Sequence, residues 1–465
     1  MPKAAAFGIV LGLSGLFVIP APAQTPAAQE GGSQLTFGLR TSLVANDNPD
    51  LRISGGRSAL SLDNALSLDY QTRTRTGLFR FGLDGILRAG GGRDQDSGFT
   101  EPGARLHYER ETVDSRIEAG ARWRRLPVSR GVFLDDFFPD PGFPEVPDET
   151  DLISDRGDRT IESAYIRGEF RRDAPLGFEL DARHDGRRYS GTTDPGLFDT
   201  RRQSVGAGVR LRFSPVTEGR FRLRQEDYHE DNAAEFERRT RTASFGVSHQ
   251  LDEATALDVT LGYQDIHTRD ITGTLIERDG LMGSLGARRA LPDGYAGANL
   301  DVVQTEHGAR STVSATRSYD LPRGNLTATL GATRTAFGKT VPVGGIDYRH
   351  DTLDGSFFAS LHRRVLTSSQ DNEIESTRLS LGYRHILDPV SSIDLRGDYI
   401  RQDDTGSGRS RDYDNAMFRA SYNRALTRDW SVSTGYEHRY RSENAGTARS
   451  NAVFVTLGRD FTVRF

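Results

Sequence analysis

Ser204-Val205-Gly206-Ala207-Gly208-Val209-Arg210-Leu211-Arg212-Phe213 alternates without a break. Val205, Ala207, Val209, Leu211 and Phe213 fall on one side, and Ser204, Gly206, Gly208, Arg210 and Arg212 on the other. A period of two belongs to a β-strand whose faces meet different surroundings. The stripe recurs in both directions. Leu35, Phe37, Leu39 and Leu43 share a face near the start, and Phe79, Phe81, Leu83 and Leu87 stand opposite Arg80, Asp84 and Arg88. Roughly twenty such segments follow one another.

A soluble sandwich also alternates, so the height of the apolar face and the connections decide. Each apolar face is about 9 to 11 residues tall, the span of a tilted strand across a bilayer. Gly, Ser, Thr, Arg and Asp line the other face throughout. Short and long connections alternate. The short ones share a form: Leu291-Pro292-Asp293-Gly294, Leu321-Pro322-Arg323-Gly324, Leu353-Asp354-Gly355, Leu387-Asp388-Pro389-Val390 and Leu426-Thr427-Arg428-Asp429. Pro, Asp and Gly at these places are hairpin-turn chemistry. The pattern predicts an all-β, transmembrane, antiparallel up-and-down β-barrel of about 22 strands, within a range of 18 to 24, and an even count returns both termini to the periplasm.

Both ends fit export. Lys3, the apolar run Phe7 to Ile19 and Ala21-Pro22-Ala23 read as a signal peptide over residues 1–23. Residues 24–34 read as a periplasmic tether and 35–465 as the barrel. The tether is too short for a plug, so the expectation is a barrel with no plug domain. In the last segment Phe461, Val463 and Phe465 lie on one face, with Phe465 terminal. This resembles the C-terminal signal of outer-membrane barrels, which implies the barrel-assembly machinery as a partner during biogenesis. Together these features predict the cell outer membrane, with its lipid and lipopolysaccharide as surroundings.

Composition narrows the function. After the N-terminus no apolar run reaches the roughly 18 residues of a spanning helix. The chain has no cysteine, which removes disulfides, thiol catalysis and thiolate metal sites. Its 60 basic and 65 acidic residues nearly balance, so no nucleic acid is expected as partner. Among the cations only Lys3 and Lys339 are lysine. Arginine keeps its charge when partly desolvated and donates through a planar fork, which suits lumen ladders with Asp and Glu.

The pore-lining candidates are Arg122, Arg124, Arg183, Arg187, Arg210, Arg212, Arg220, Arg222 and Arg224. Glu118, Glu179, Asp181, Asp185 and Glu226 stand nearby as ladder partners. The long outer loop 127–158 is strongly acidic and supplies constriction-loop candidates Asp135, Asp136, Asp140, Glu145, Asp148 and Glu149; it either folds into the lumen or stays outside. Strands between 239 and 336 carry a blander inner face of Thr, Ser and Asn, which suits either a one-sided pore or a contact with another copy. The ten histidines form no catalytic pattern, and Ala45 to Asp50 lacks the spacing of a calcium loop. No catalytic, cofactor-binding or metal-binding residue is expected, and no enzyme.

With its leader, repeated hairpins and Phe465, the chain resembles the uncharacterised β-barrel porin group of proteobacterial envelopes over 33–465. That resemblance implies a pore without naming a solute. The expected function is a porin-like outer-membrane channel for passive diffusion of small polar solutes. The alternatives are an export conduit for an anionic exopolysaccharide, or a non-conducting structural or adhesive barrel.

Overall fold

A strand in lipid has no water to satisfy its backbone, so it must find hydrogen-bonding partners on both sides. The computed structural model describes residues 32–90, 97–128, 155–232, 235–269, 273–367, 373–405, 412–443 and 446–465, and they meet that demand with 22 strands. The first eight are β1 (Gly32–Asn46), β2 (Ala59–Arg73), β3 (Gly77–Gly90), β4 (Gly98–Glu111), β5 (Ser115–Pro127), β6 (Asp158–Phe170), β7 (Leu176–Ser190) and β8 (Asp199–Ser214). Next come β9 (Thr217–Asp231), β10 (Phe236–Gln250), β11 (Thr255–Arg269), β12 (Leu275–Leu291), β13 (Gly294–Thr305), β14 (Gly308–Leu321) and β15 (Gly324–Arg334). The last seven are β16 (Thr340–Asp351), β17 (Gly355–Thr367), β18 (Glu373–Asp388), β19 (Ser391–Asp404), β20 (Tyr413–Ala425), β21 (Trp430–Glu443) and β22 (Gly446–Arg464).

Each strand pairs antiparallel with its neighbours in sequence, and β1 pairs with β22 to close the barrel. The seam runs from Gln34↔Arg464 to Asn46↔Ala452. It is finished by two backbone bonds, Ser33 N–H to the Phe465 carbonyl at 2.9 Å and Phe465 N–H to the Ser33 carbonyl at 3.0 Å. Those bonds draw Gly32, Ser33 and Gln34 into β1, three residues ahead of the expected start. Residues 1–31 lie outside the described residues.

The face with Val205, Leu223, Leu261, Leu281 and Leu330 is exposed hydrocarbon, as contact with lipid requires. Near the end where β1 begins and β22 finishes it is ringed by aromatics, among them Phe178, Phe213, Tyr319, Tyr383 and Phe465. On the lumen face glycines make room for ion pairs that reach over a strand. Gly82 of β3 stands between Asp69 and Arg105, which bond to each other across it. A Cβ at Gly82 would sit 2.6 Å from Arg105 Nε and 3.0 Å from Asp69 Oδ1. Gly206 and Gly208 of β8 leave the same room for Arg222 and Asp181 on the flanking strands.

The outer end is uneven. β12 pairs with β11 along 275–289 but with β13 only from Gly283, so among the described residues 275–282 have no β13 partner. β16 likewise pairs with β17 only over 344–351. The two hairpin tips between these strands lean into the lumen. On one side Glu306 meets Arg238 of β10 at 3.5 Å, and Gln264 Nε2 donates to the Gln304 carbonyl at 3.3 Å. On the other side Arg310 meets Glu373 of β18 at 3.6 Å and donates to Thr367 Oγ1 at 2.9 Å. The Ala336 N–H donates to Glu373 Oε2 at 2.8 Å, and the His307 and Phe337 rings lie 4.8 Å apart. Ile266, Thr268, Val341 and Ile374 are buried around this flap.

Two outcomes follow from these faces. Leu261→Arg puts a charge on the lipid face and should cost about 2–4 kcal/mol, whereas Thr260→Arg on the lumen face should cost far less; reversible denaturant titration of the refolded barrel in lipid measures both. Arg310→Ala leaves the Glu373 carboxylate, 0% exposed, without its cation. Removing one partner of a buried pair costs about 3–5 kcal/mol, so amide exchange over 335–339 should quicken, and Glu373→Gln added to Arg310→Ala should restore most of the protection.

Candidate functional site

Strand register sets what the lumen offers. The nine arginines expected to line a pore all fall on the lumen side of β5, β7, β8 and β9, opposite Trp123, Ala182, Val205 and Leu223. Most are held by carboxylates. Arg183 forks onto Asp185 at 2.6 and 2.9 Å, Arg220 lies 3.3 Å from Glu179 and 3.2 Å from Glu218, and Arg222 bonds Asp181. Arg224 reaches Glu226 at 3.6 Å and Ser204 Oγ at 3.1 Å. Arg210 lies 3.8 Å from Glu218, and Arg210 and Arg212 also grip the β6–β7 turn through the Arg172 carbonyl, at 2.9 and 3.1 Å. Arg122, Arg124 and Arg187 complete the group on β5 and β7. The row forms a bracing ladder, with no cluster that closes around a ligand.

The constriction-loop candidates Asp135, Asp136, Asp140, Glu145, Asp148 and Glu149 lie outside the described residues. The end of their loop is visible, and Asp155 clamps it. Its carboxylate accepts from Thr193 Oγ1 at 2.7 Å, from the Asp194 and Arg156 N–H groups at 2.7 and 2.8 Å, and from the Thr193 N–H. Burial pushes this carboxyl up, and the four donors outweigh it and hold the group below the ordinary carboxylate range.

Between the loop ends and the seam lies a cavity of about 920 Å³ at the outer mouth. Strands from both ends of the chain build it, because closure sets β20–β22 beside β1–β5. Seven arginines and seven carboxylates line it. Arg88 forks onto Asp63 at 2.8 and 3.0 Å and lies 3.5 Å from Glu101. Arg52 lies 3.7 Å from Asp50, Arg125 donates to Asp158 at 2.9 Å, and Arg419 lies 3.5 Å from Glu437. Arg439 bonds Glu437, and Arg441 donates through Nη2 to Glu443 at 2.8 Å. Arg441 is buried with Nε and Nη1 lacking hydrogen-bond partners. The volume of the cavity falls in the range of small-molecule pockets, while its lining is far more charged than the mostly apolar one such pockets have.

Sequence reasoning favoured 122–224 and passed over this cavity. The signal was present in the alternation Glu437, Arg439, Arg441, Glu443, and barrel closure places that stretch beside the first strands. The inner face expected to be bland carries charges as well, among them Asp258, Arg288 and Asp301. Thr312 bonds Thr333 at 2.9 Å and Thr316 bonds Thr329 at 2.9 Å, giving a wall of hydroxyls on β14 and β15.

Neither a protein-family model nor a curated protein matches the sequence. Solved structures do match. The siderophore receptor PirA from Pseudomonas aeruginosa aligns at a TM-score of 0.54 and 10% identity, covering 93% of this chain and 80% of its own. The ferric-catecholate import receptor Fiu from E. coli K12 aligns at 0.55 and 13% identity, covering 94% and 82%. The FrpB iron transporter from Neisseria meningitidis aligns at 0.53 and 11% identity, covering 93% and 82%. These likenesses correct two expectations. The porin-like passive channel gives way, with the export-conduit alternative, because the matching barrels are those of siderophore receptors and iron transporters. The expectation of no plug domain gives way as well, since such receptors carry one; it rested only on the length of the segment ahead of β1. At these identities the likeness concerns the fold. The 22-strand antiparallel closed barrel stands, and the chain is a β-barrel of the cell outer membrane.

Proposed function

We propose that this chain is an outer-membrane import receptor for a ferric chelate of the siderophore class. The observation that carries it is the coincidence of a 22-strand barrel, shared with siderophore receptors along 93% of the chain, with a cavity of about 920 Å³ at the outer mouth. A siderophore complex is a compact polar ligand of the size such a cavity takes up. The mouth is narrowed on the opposite side by the β13–β16 flap, so a ligand arriving from outside meets the cavity first. Import at low external concentration also needs driven uptake, in which tight capture precedes release inward.

Uptake of radioactive iron tests this. Cells whose other iron receptors are deleted should accumulate iron from at least one ferric chelate when they express this chain, and accumulation should stop when the inner membrane is de-energised. Equal accumulation with and without the chain, across hydroxamate, catecholate and carboxylate chelates, would refute the proposal. So would uptake indifferent to energy.

A further inference from the structure

Resting on that import reading, we infer that the cargo is an uncharged ferric chelate of the trihydroxamate type rather than an anionic tricatecholate. A trianion is drawn to a site by surplus positive potential, and it must find cations whose donors are free. Among the described residues the outer cavity has no surplus, since its arginines and carboxylates are equal in number. Six of its seven arginines already face a carboxylate of the same wall; Arg156 is the exception among the described residues. A trianion here would lie beside seven acids and would have to displace internal partners. Breaking a buried, hydrogen-bonded ion pair strands its carboxylate, and that penalty opposes binding.

An uncharged chelate meets none of this. Its carbonyl and hydroxamate oxygens need donors without net charge, and the cavity supplies them. Ser54, Ser97 and Thr100 bring uncharged hydroxyls to its lining. Farther in, the inner face over β10 to β15 is rich in hydroxyls such as Thr312, Thr316, Thr329 and Thr333, set among a few charges that include Asp258, Arg288 and Asp301. A neutral, oxygen-rich ligand finds exchangeable hydrogen bonds along that wall, whereas a polyanion finds few cations there, Arg288 among them. The fixed ladder on β7–β9 offers little more, because its arginines are mostly spent on Glu179, Asp181, Asp185 and Glu226.

The experiment compares two probes on the purified full chain in lipid nanodiscs. These are ferrichrome, an uncharged ferric trihydroxamate, and ferric enterobactin, a trianionic tricatecholate, each titrated calorimetrically at low and high salt. Ferrichrome should bind at least tenfold more tightly, with little salt dependence. Ser54→Ala, Ser97→Ala and Thr100→Val combined should weaken ferrichrome about tenfold while leaving the folded, heat-modifiable barrel intact. The double variant Glu437→Gln with Glu443→Gln, which frees positive charge, should raise enterobactin affinity at least tenfold and make it salt-dependent. Enterobactin binding as tightly as ferrichrome in the unaltered chain would overturn the inference and leave the import receptor standing. An unchanged preference in the double variant would also overturn it. Binding of neither probe, together with no iron uptake from any chelate, would remove both.

Discussion

Everything in this molecule answers to one requirement: a backbone amide in hydrocarbon must be hydrogen-bonded within the protein. The requirement dictates strands paired on both sides, and hence a closed ring in which β1 meets β22. Closure in turn sets the chemistry. It brings Arg441 and Glu443, near the end of the chain, to the cavity that Asp63 and Arg88 line near its beginning. The ring also fixes a lipid face and a lumen face on every strand, so each charge has one place to go.

Inside the ring, arginine and glycine act together. A long guanidinium side chain can reach a carboxylate two strands away only if the strand between presents no Cβ. Asp69, Gly82 and Arg105 show the arrangement, and Asp181, Arg222 and the glycines of β8 repeat it. Such bridges are partly wet, and each one contributes little to stability alone. Their effect is positional: they hold charges in register and leave few cations unmatched. The selectivity inferred for the mouth grows from the same habit of pairing.

The legible part of the fold was the part written at period two. Val205 to Phe213 announces its strand and its faces, and the turns at 291–294 and 321–324 mark one end of the barrel. What sequence could not carry was the inward lean of the hairpin tips. It depends on Glu306 finding Arg238 and on Arg310 finding Glu373, contacts between segments about sixty to seventy residues apart that no local pattern encodes. The cavity was half legible, since its charged faces alternate visibly while its assembly needs the seam. The expectation of no plug failed because the length of a leading segment is no evidence about the lumen.

The free stretch of β12 at 275–282 gives the barrel a mechanical character that its strand count does not suggest. A fully paired ring resists widening as a hoop does, with every ladder sharing the load. Among the described residues the hoop is slit at its outer rim, and two side-chain bonds span the gap, Gln304 Nε2 to the Leu281 carbonyl at 2.7 Å and Arg278 Nε to the Glu306 carbonyl at 3.3 Å. Tension applied at the rim therefore concentrates at the root of the slit, near Gly283 and Val302, while the ladders below keep their circumference. The outer mouth is the compliant end of an otherwise rigid tube.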